Sequence, residues 1–529
     1  VVEPLPGGRC RAELSAYGSL KSLALRAIGP LVRAGLRRRI EAYFDAIVDV
    51  VSKADVELGD GPPAAEVAHL LWQRQQPVLS GGVTDTDTTE LQRRAGHLQE
   101  MGVDDGVVAR LTTILRDRPD EEVTQMRPFE LADAWSADRP VVLRTFLHAT
   151  SAGLVDLNWQ VNCPVCKVAA GVVRNLAEVA EDIHCDACNI RYDVDFGTNV
   201  EAVFRCNEAI RDVQPTVYCA ASPVFRPHVV AQIRVLPGAE RTEMVGLGPG
   251  AWNFRTLGTQ RSATVDVDEA PAQIEVRITS DRVEVASRGA AGDGSTEVVY
   301  HSLVDEPTFV LIERAGWSAP LALGSVVASL PEFVDLFATE APAAGLELTI
   351  KRLTFFFSDL TGSTALYERI GDAKAYAVVQ EHFRIMEQVI ARHGGAIVKT
   401  MGDAVMATFS RPAPAVQAAI ESVRTSLEDN ERLGIGIKLG VHEGACLAVR
   451  ANDRLDFFGT TVNVAARLQG KADTSELVVT RALAEDPTVG TLLRELSCRD
   501  FETGLKGISE AQTLRAYDLA AVASKPAGT

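Results

Sequence analysis

Two aspartates carry the chemistry this chain could perform. Asp403 follows Ile397-Val-Lys-Thr-Met-Gly402 and precedes Ala404-Val-Met-Ala-Thr-Phe409, so a Gly turn joins two apolar runs. That grammar predicts a β-hairpin with Gly402 and Asp403 at its tip. Asp359 ends a strand-forming run, Thr354-Phe-Phe-Phe-Ser-Asp359, and Leu360-Thr-Gly362-Ser363-Thr364 follows it. The turn through Gly362, Ser363 and Thr364 opens the next helix, where free backbone N–H groups favour an anion. A carboxylate on a rigid turn can hold a divalent cation, and Mg²⁺ sites that handle phosphates combine one or two carboxylates with phosphate oxygens and water. Downstream, Leu455-Asp456-Phe-Phe-Gly459 leads into Thr460-Thr-Val-Asn463-Val-Ala-Ala-Arg467. Read as a helix, this stretch sets Asn463 and Arg467 four apart on one face.

Cysteines supply a second constellation. Cys163-Pro-Val-Cys166 and Cys185-Asp-Ala-Cys188 are two knuckles with eighteen residues between them. The spacing suits a zinc site, and a closed shell of four thiolates is structural rather than catalytic. Disulfides are disfavoured in a chain expected in the cytoplasm, while redox sensing through zinc release stays open as the alternative.

Phe-Ser-Asp359-Leu-Thr-Gly-Ser-Thr, Val-Lys399-Thr-Met-Gly-Asp403, Gly440-Val-His-Glu-Gly444 and Asp456-Phe-Phe-Gly-Thr-Thr-Val-Asn463-Val-Ala-Ala-Arg467 together resemble the catalytic domain of class III nucleotidyl cyclases. The resemblance runs from about Leu353 to about Leu519. It implies that Asp359 and Asp403 bind two Mg²⁺ or Mn²⁺ ions, that Lys399 and Asp456 read the base, and that Asn463 and Arg467 serve the transition state. Lys506, in Leu505-Lys-Gly, matches a triphosphate-binding lysine of the family. In this family one subunit supplies the metal aspartates and the other the base readers, Asn and Arg. This chain carries both sets, so a symmetric homodimer with two equivalent sites is implied. Lys399 can donate to N1 of adenine and Asp456 can accept from N6, which favours ATP. The leading expectation is a soluble adenylyl cyclase regulated by its N-terminal domains through an unknown ligand or protein. A guanylyl cyclase is the second reading, and a catalytically silent cyclase fold acting as a regulator is the third. The chain is also similar to a bacterial cyclase family in which an uncharacterised region with such a cysteine pair precedes the catalytic domain.

The chain's 529 residues must fold as several domains. The expected class is multidomain, with a C-terminal α/β (α+β) cyclase domain built on a mainly antiparallel sheet. The expected divisions are a helical region at 1–103, a winged-helix-like module at 104–161, a zinc-ribbon-like module at 162–198, a β-rich domain at 199–338, a linker at 339–350 and the cyclase domain at 351–520. Residues 287–295 read as a hairpin loop and 327–337 as one short helix. The net charge of −18 disfavours broad binding to nucleic acid or anionic lipid. The basic run Arg37-Arg38-Arg39 reads as a solvated helix face. The helix after Ala137 carries only Arg144 and His148 as longer polar groups, too few for a reader of base edges. No secretory signal and no membrane span are expected, because the longest uncharged stretch, 315–331, is short and broken by Ser, Gly and Pro.

Overall fold

The computed structural model describes residues 2–5, 9–12 and 83–520, with breaks at 168, 186–187, 189, 214–227, 260, 291–294, 316–320, 434–435 and 505–510. The Arg37–Arg39 run and Lys506 lie outside the described residues. The chain starts with an antiparallel pair, β1 (Val2–Leu5) and β2 (Arg9–Ala12), inside the region expected to be helical. Pro6-Gly7-Gly8 between them is turn chemistry, not helix chemistry.

Among the described residues from 83 onward, five helices come first: α1 (Thr88–Glu100), α2 (Asp105–Asp117), α3 (Asp120–Val123), α4 (Pro128–Trp135) and α5 (Arg139–Ser151). Asp87 and Asp104 cap α1 and α2, accepting from the backbone N–H of Glu90 and Val107 at 2.9 Å each. Such caps satisfy donors that the first helical turn leaves free. The strands β3 (Val155–Asn162), β4 (Ala169–Val173), β5 (Asp182–Cys185), β6 (Ile190–Asp193) and β7 (Val200–Cys206) come next. They form a three-stranded sheet in the order β4-β3-β7 and a separate β5–β6 hairpin. Strand β7 therefore belongs with β3 of the helical domain, although 199 onward was expected to open the β-rich domain. Its apolar run pairs with β3 because both are buried almost throughout.

A sandwich of eight strands is inserted after β7: β8 (Val229–Val235), β9 (Glu240–Gly246), β10 (Gly250–Thr256), β11 (Ser262–Val267), β12 (Pro271–Ile278), β13 (Val283–Ala290), β14 (Ser295–Ser302) and β15 (Thr308–Arg314). Its sheets run β11-β10-β15-β8 and β13-β12-β14-β9. Strands β13 and β14 lie on opposite sides of β12, and β14 pairs with it in parallel, so the two strands are not the hairpin partners expected around 287–295. The chain then returns to the helical domain through α6 (Gly324–Val327) and α7 (Pro331–Leu336). The single helix expected at 327–337 is split because Pro331 lacks the N–H that continues a helix and instead starts a new one. Phe333 of α7 meets Trp159 of β3 edge-on, with ring centroids 5.8 Å apart.

The C-terminal domain contains β16 (Leu348–Thr361), α8 (Ser363–Ile370), α9 (Asp372–Arg392), β17 (Ala396–Met401), β18 (Ala404–Phe409), α10 (Pro412–Leu433), β19 (Gly436–Ala451), β20 (Arg454–Phe458), α11 (Thr460–Gln469), β21 (Glu476–Thr480), α12 (Arg481–Ala484), α13 (Pro487–Leu493), β22 (Cys498–Thr503) and β23 (Gln512–Asp518). Its sheet order is β17-β18-β16-β19-β21-β23-β22, with β20 paired to β19; only β19 and β21 run parallel. Alternation along β16 divides the core. Phe356 and Leu360 pack with Met386, Val389 and Ala419 of α9 and α10, while Phe355 and Phe357 face the other way with Met406, Phe457 and Ala465 of α11. Helix α11 can lie on β19 only because residue 440 is Gly: a Cβ there would sit 2.4 Å from the backbone N of Gln469.

The second face of this sheet shares one apolar cluster with Trp159, Phe196 and Phe333 of the N-terminal part. Between the two, 339–350 is packed: Ala341 and Leu348 are buried, and Glu340 accepts from Trp159 Nε1 at 3.2 Å. The backbone N–H of Phe196 donates to Thr349 O at 2.7 Å. Arg144 is turned inward, pairing with Glu332 at 3.2 Å and donating to Ala391 O at 3.3 Å. That engages Arg144 in a contact between domains, while Arg139, the other arginine of α5, pairs with Asp133 at 2.7 Å. Among the described residues, no helix is long and apolar enough to cross a membrane.

Candidate active site and cysteine centre

The β17–β18 hairpin forms as the sequence predicts, with Gly402 at φ +68° and Asp403 at the turn. Strand β16 pairs with β18 on the same sheet and carries Asp359 two residues before its end, so strand pairing alone brings the two carboxylates together. Burial, followed by the charge of Asp403, holds the Asp359 carboxyl above the usual carboxylate range. Asp403 Oδ2 is buried with no hydrogen-bond partner. Two facing carboxylates with an orphaned oxygen are costly as they stand, and a divalent cation would satisfy both. The donor set is all carboxylate oxygen, which suits Mg²⁺ or Mn²⁺. Gly362 directly precedes α8, placing the Gly362-Ser363 turn and the backbone of Thr364 three to five residues beyond Asp359.

Lys399 and Asp456 also meet. Strand β20 folds back on β19 and presents Asp456, whose Oδ2 accepts from Lys399 Nζ at 2.6 Å. The backbone N–H of Phe457 donates to the other oxygen at 2.8 Å, which fixes the carboxylate's orientation. Asn463 and Arg467 stand on α11 as expected, but they do not join the aspartates. Gln469 Nε2 donates to Asp359 Oδ2 at 3.1 Å, so that side of α11 faces the carboxylates. At about 100° per residue, Arg467 lies about 200° around the helix from Gln469, on the far side. Asn463 is exposed, and Arg467 Nε is buried without a hydrogen-bond partner.

Three neighbours escaped the sequence reading. Gln469 sits two residues past Arg467, where an unpaired polar group in an amphipathic helix is unremarked. Lys438 lies opposite Asp359 in the β16–β19 register and draws its proton affinity down. A lysine inside the apolar run Ile437-Lys-Leu-Gly-Val441 was the available signal. His382, on α9, is buried with Nε2 unpartnered, and burial pushes its pKa down from 6.5 to about 4, with Asp403 opposing. Its native state therefore favours the neutral ring. The resulting stability is complete above the unfolded value of 6.5 and is lost as pH falls towards 4. Wild-type protein should thus lose more stability than His382→Gln on acidification from pH 7 to pH 4.5, by about 3 kcal/mol at most. Parallel Tm-against-pH curves for the two proteins would contradict this.

The four cysteines converge although their knuckles are distant in sequence. Cys163 and Cys166 follow β3, and Cys185 and Cys188 flank the β5–β6 turn. Their sulfurs all lie within 4.8 Å of one another, with Cys163–Cys188 at 3.9 Å and Cys166–Cys185 at 3.6 Å. A tetrahedral ion with metal–sulfur bonds near 2.3 Å requires sulfur–sulfur edges of about 3.8 Å. The cluster fits zinc, and no disulfide joins the described cysteines.

Comparison with known proteins adds to this geometry. Residues 348–512 match the family model described as the adenylate and guanylate cyclase catalytic domain, and 89–218 match a family of unknown function. An adenylate cyclase of Streptomyces coelicolor is 32% identical over 142 residues, covering 26% of this chain and 35% of that protein. Adenylate cyclase 1 of Rhizobium meliloti is 30% identical over 137 residues, covering 23% of this chain and 21% of that protein. The chain thus spans about a third of one relative's length and a fifth of the other's. Among solved structures, the adenylyl cyclase CyaB from P. aeruginosa aligns at 24% identity and TM-score 0.29, covering 32% of this chain and 95% of that chain. The guanylyl cyclase Cya2 aligns at 20% identity and TM-score 0.29, covering 32% and 91%.

Proposed function

We propose, for a chain whose residues 348–512 belong to the adenylate and guanylate cyclase catalytic family, that it converts ATP to 3′,5′-cyclic AMP and pyrophosphate at a site shared by two copies of itself. The observation that carries this reading is the split of the machinery. Asp359 and Asp403 form one set, Lys399 and Asp456 another, and Arg467 stands on the side of α11 away from its own chain's aspartates. A second copy would bring its α11 and base readers to the first copy's carboxylates.

In the reaction the ribose 3′-oxygen bonds to the α-phosphorus, the bond to the β-phosphate oxygen breaks, and the hydroxyl proton is released. Asp359 and Asp403 would hold two Mg²⁺ or Mn²⁺ ions, whose chemistry is to acidify the hydroxyl and neutralise phosphate charge. The turn at Gly362 and Ser363 offers backbone N–H groups to the phosphates. Arg467 supplies a planar donor fork for charge developing on phosphate oxygens, and its unpartnered Nε leaves that capacity free. Asn463, exposed one turn earlier, orients the ribose. The apolar cluster shared by the catalytic sheet and the N-terminal part supports regulation through those domains.

Base choice follows from the Lys399–Asp456 pair. Asp456 Oδ1 is occupied by the Phe457 backbone, which leaves Oδ2 to accept from N6 of adenine while Lys399 donates to N1. Guanine reverses this pattern, and each mispaired buried group costs about 1–3 kcal/mol. ATP should therefore be cyclised with a higher kcat/KM than GTP, and Lys399→Glu with Asp456→Cys should erode that preference. Assays of purified protein with each nucleotide test it; equal or better use of GTP would replace the adenylyl reading with a guanylyl one.

The four cysteines are proposed to hold one structural zinc. Metal analysis of purified protein should find about one zinc per chain. Metal-free protein with four titratable thiols and an intact fold would overturn that assignment.

A further inference from the structure

We infer that Arg255, reaching from the sandwich, donates to the cysteine centre, and that the centre thereby clamps the sandwich onto the two knuckles. This rests on the zinc reading above. Trp252 and Phe254 of β10 point into the sandwich core with Val310 and Ile312 of β15. Arg255 and Glu313 belong to the alternate set, on the sheet's outer face, where solvent would be the ordinary neighbour. Yet Arg255 is 2% exposed and Glu313 5%. Arg255 Nη1 donates to Cys188 Sγ at 3.8 Å, which places the cysteine centre against that outer face.

The arrangement has a charge logic. Four thiolates around Zn²⁺ leave two negative charges in a buried place, and uncompensated interior charge is expensive. Arg255 brings a cation that cannot be deprotonated, and its fork has donors to spare. Nη2 and Nε hold the two oxygens of Glu313 at 2.5 and 3.2 Å, which aims Nη1 at the sulfur. Asn253 Nδ2 steadies the same carboxylate at 3.3 Å. Hydrogen bonds to metal-bound ligands orient them and raise affinity, and their loss typically costs about 10–100-fold in metal binding. Because linkage is reciprocal, a docked sandwich that tightens zinc is itself held in place by zinc.

The test uses the full chain. Arg255→Met alone would leave Glu313 facing the anionic centre, so it is combined with Glu313→Gln, which removes both charges. The double variant should fold, with the Trp252 near-ultraviolet signal retained, and should lose zinc to a competing chelator at least tenfold more readily than wild type. Its cobalt-substituted form should show a shifted sulfur-to-metal charge-transfer band, because a hydrogen bond to the ligating sulfur has gone. Arg255→Lys, which keeps the charge but cannot bridge Glu313 and Cys188 at once, should fall between. A folded double variant with zinc affinity within twofold of wild type and an unshifted cobalt band overturns the clamp and leaves the zinc assignment standing. A wild-type chain that binds neither zinc nor cobalt overturns both.

Discussion

If the proposed activity is right, Asp403→Ala is expected to abolish nucleotide cyclisation, lowering kcat/KM by roughly 10³-fold or more, and to leave the fold intact. The size follows from losing several kcal/mol of metal-mediated charge stabilisation, at 1.36 kcal/mol per tenfold. The preserved fold follows from the packing. Asp403 Oδ2 has no hydrogen-bond partner to lose, and its charge opposes ionisation of Asp359. Removing it relieves a repulsion, so the metal-free variant should melt at or above the wild-type Tm. Asp359→Ala should be equally inactive, but it gives up the Gln469 hydrogen bond at 3.1 Å and should melt slightly lower. The measurement is turnover at ordinary Mg²⁺ or Mn²⁺ concentration beside a thermal scan. Substantial activity in either variant would falsify the carboxylate assignment, whereas inactivity with a collapsed Tm would show only a folding defect.

Activity should return when two dead chains are mixed. Asp403→Ala spoils the carboxylate set and Arg467→Ala the transition-state set. In a symmetric dimer with shared sites, a mixed pair places both lesions in one site and leaves the other whole. At equal input and free exchange, half of the dimers are mixed and each has one good site of two, so about a quarter of wild-type activity should appear. The structural reason to expect sharing is that Gln469 turns its side of α11 to Asp359 and thereby turns Arg467 away. Exchange can be verified independently with two differently tagged chains. Verified mixed dimers without activity would mean that each site is built within one chain.

The elements that carry the candidate site residues were legible because they are local. A strand carrying Asp359 near its end, a hairpin tipped by Gly402-Asp403 and a helix after Gly459 each follow from residue periodicity and turn chemistry within a dozen positions. The paired knuckles were legible for the same reason, since Cys-x-x-Cys sets two sulfurs at a fixed local separation. What the residues alone could not determine was everything that depends on which strands become neighbours. Strands β13 and β14, on opposite sides of β12, looked like a hairpin because alternation reports a strand's faces and not its partner. Strand β7 looked like part of the sandwich because its composition is equally compatible with pairing to β3. Arg255 and Glu313 resemble any exposed charges on an alternating strand, and only docking of the cysteine knuckles buries them. Local sequence thus determined which groups could do chemistry. Tertiary structure decided which of them meet, because long-range contacts are selected by the shared burial of many faces at once and leave no periodic trace in any one segment.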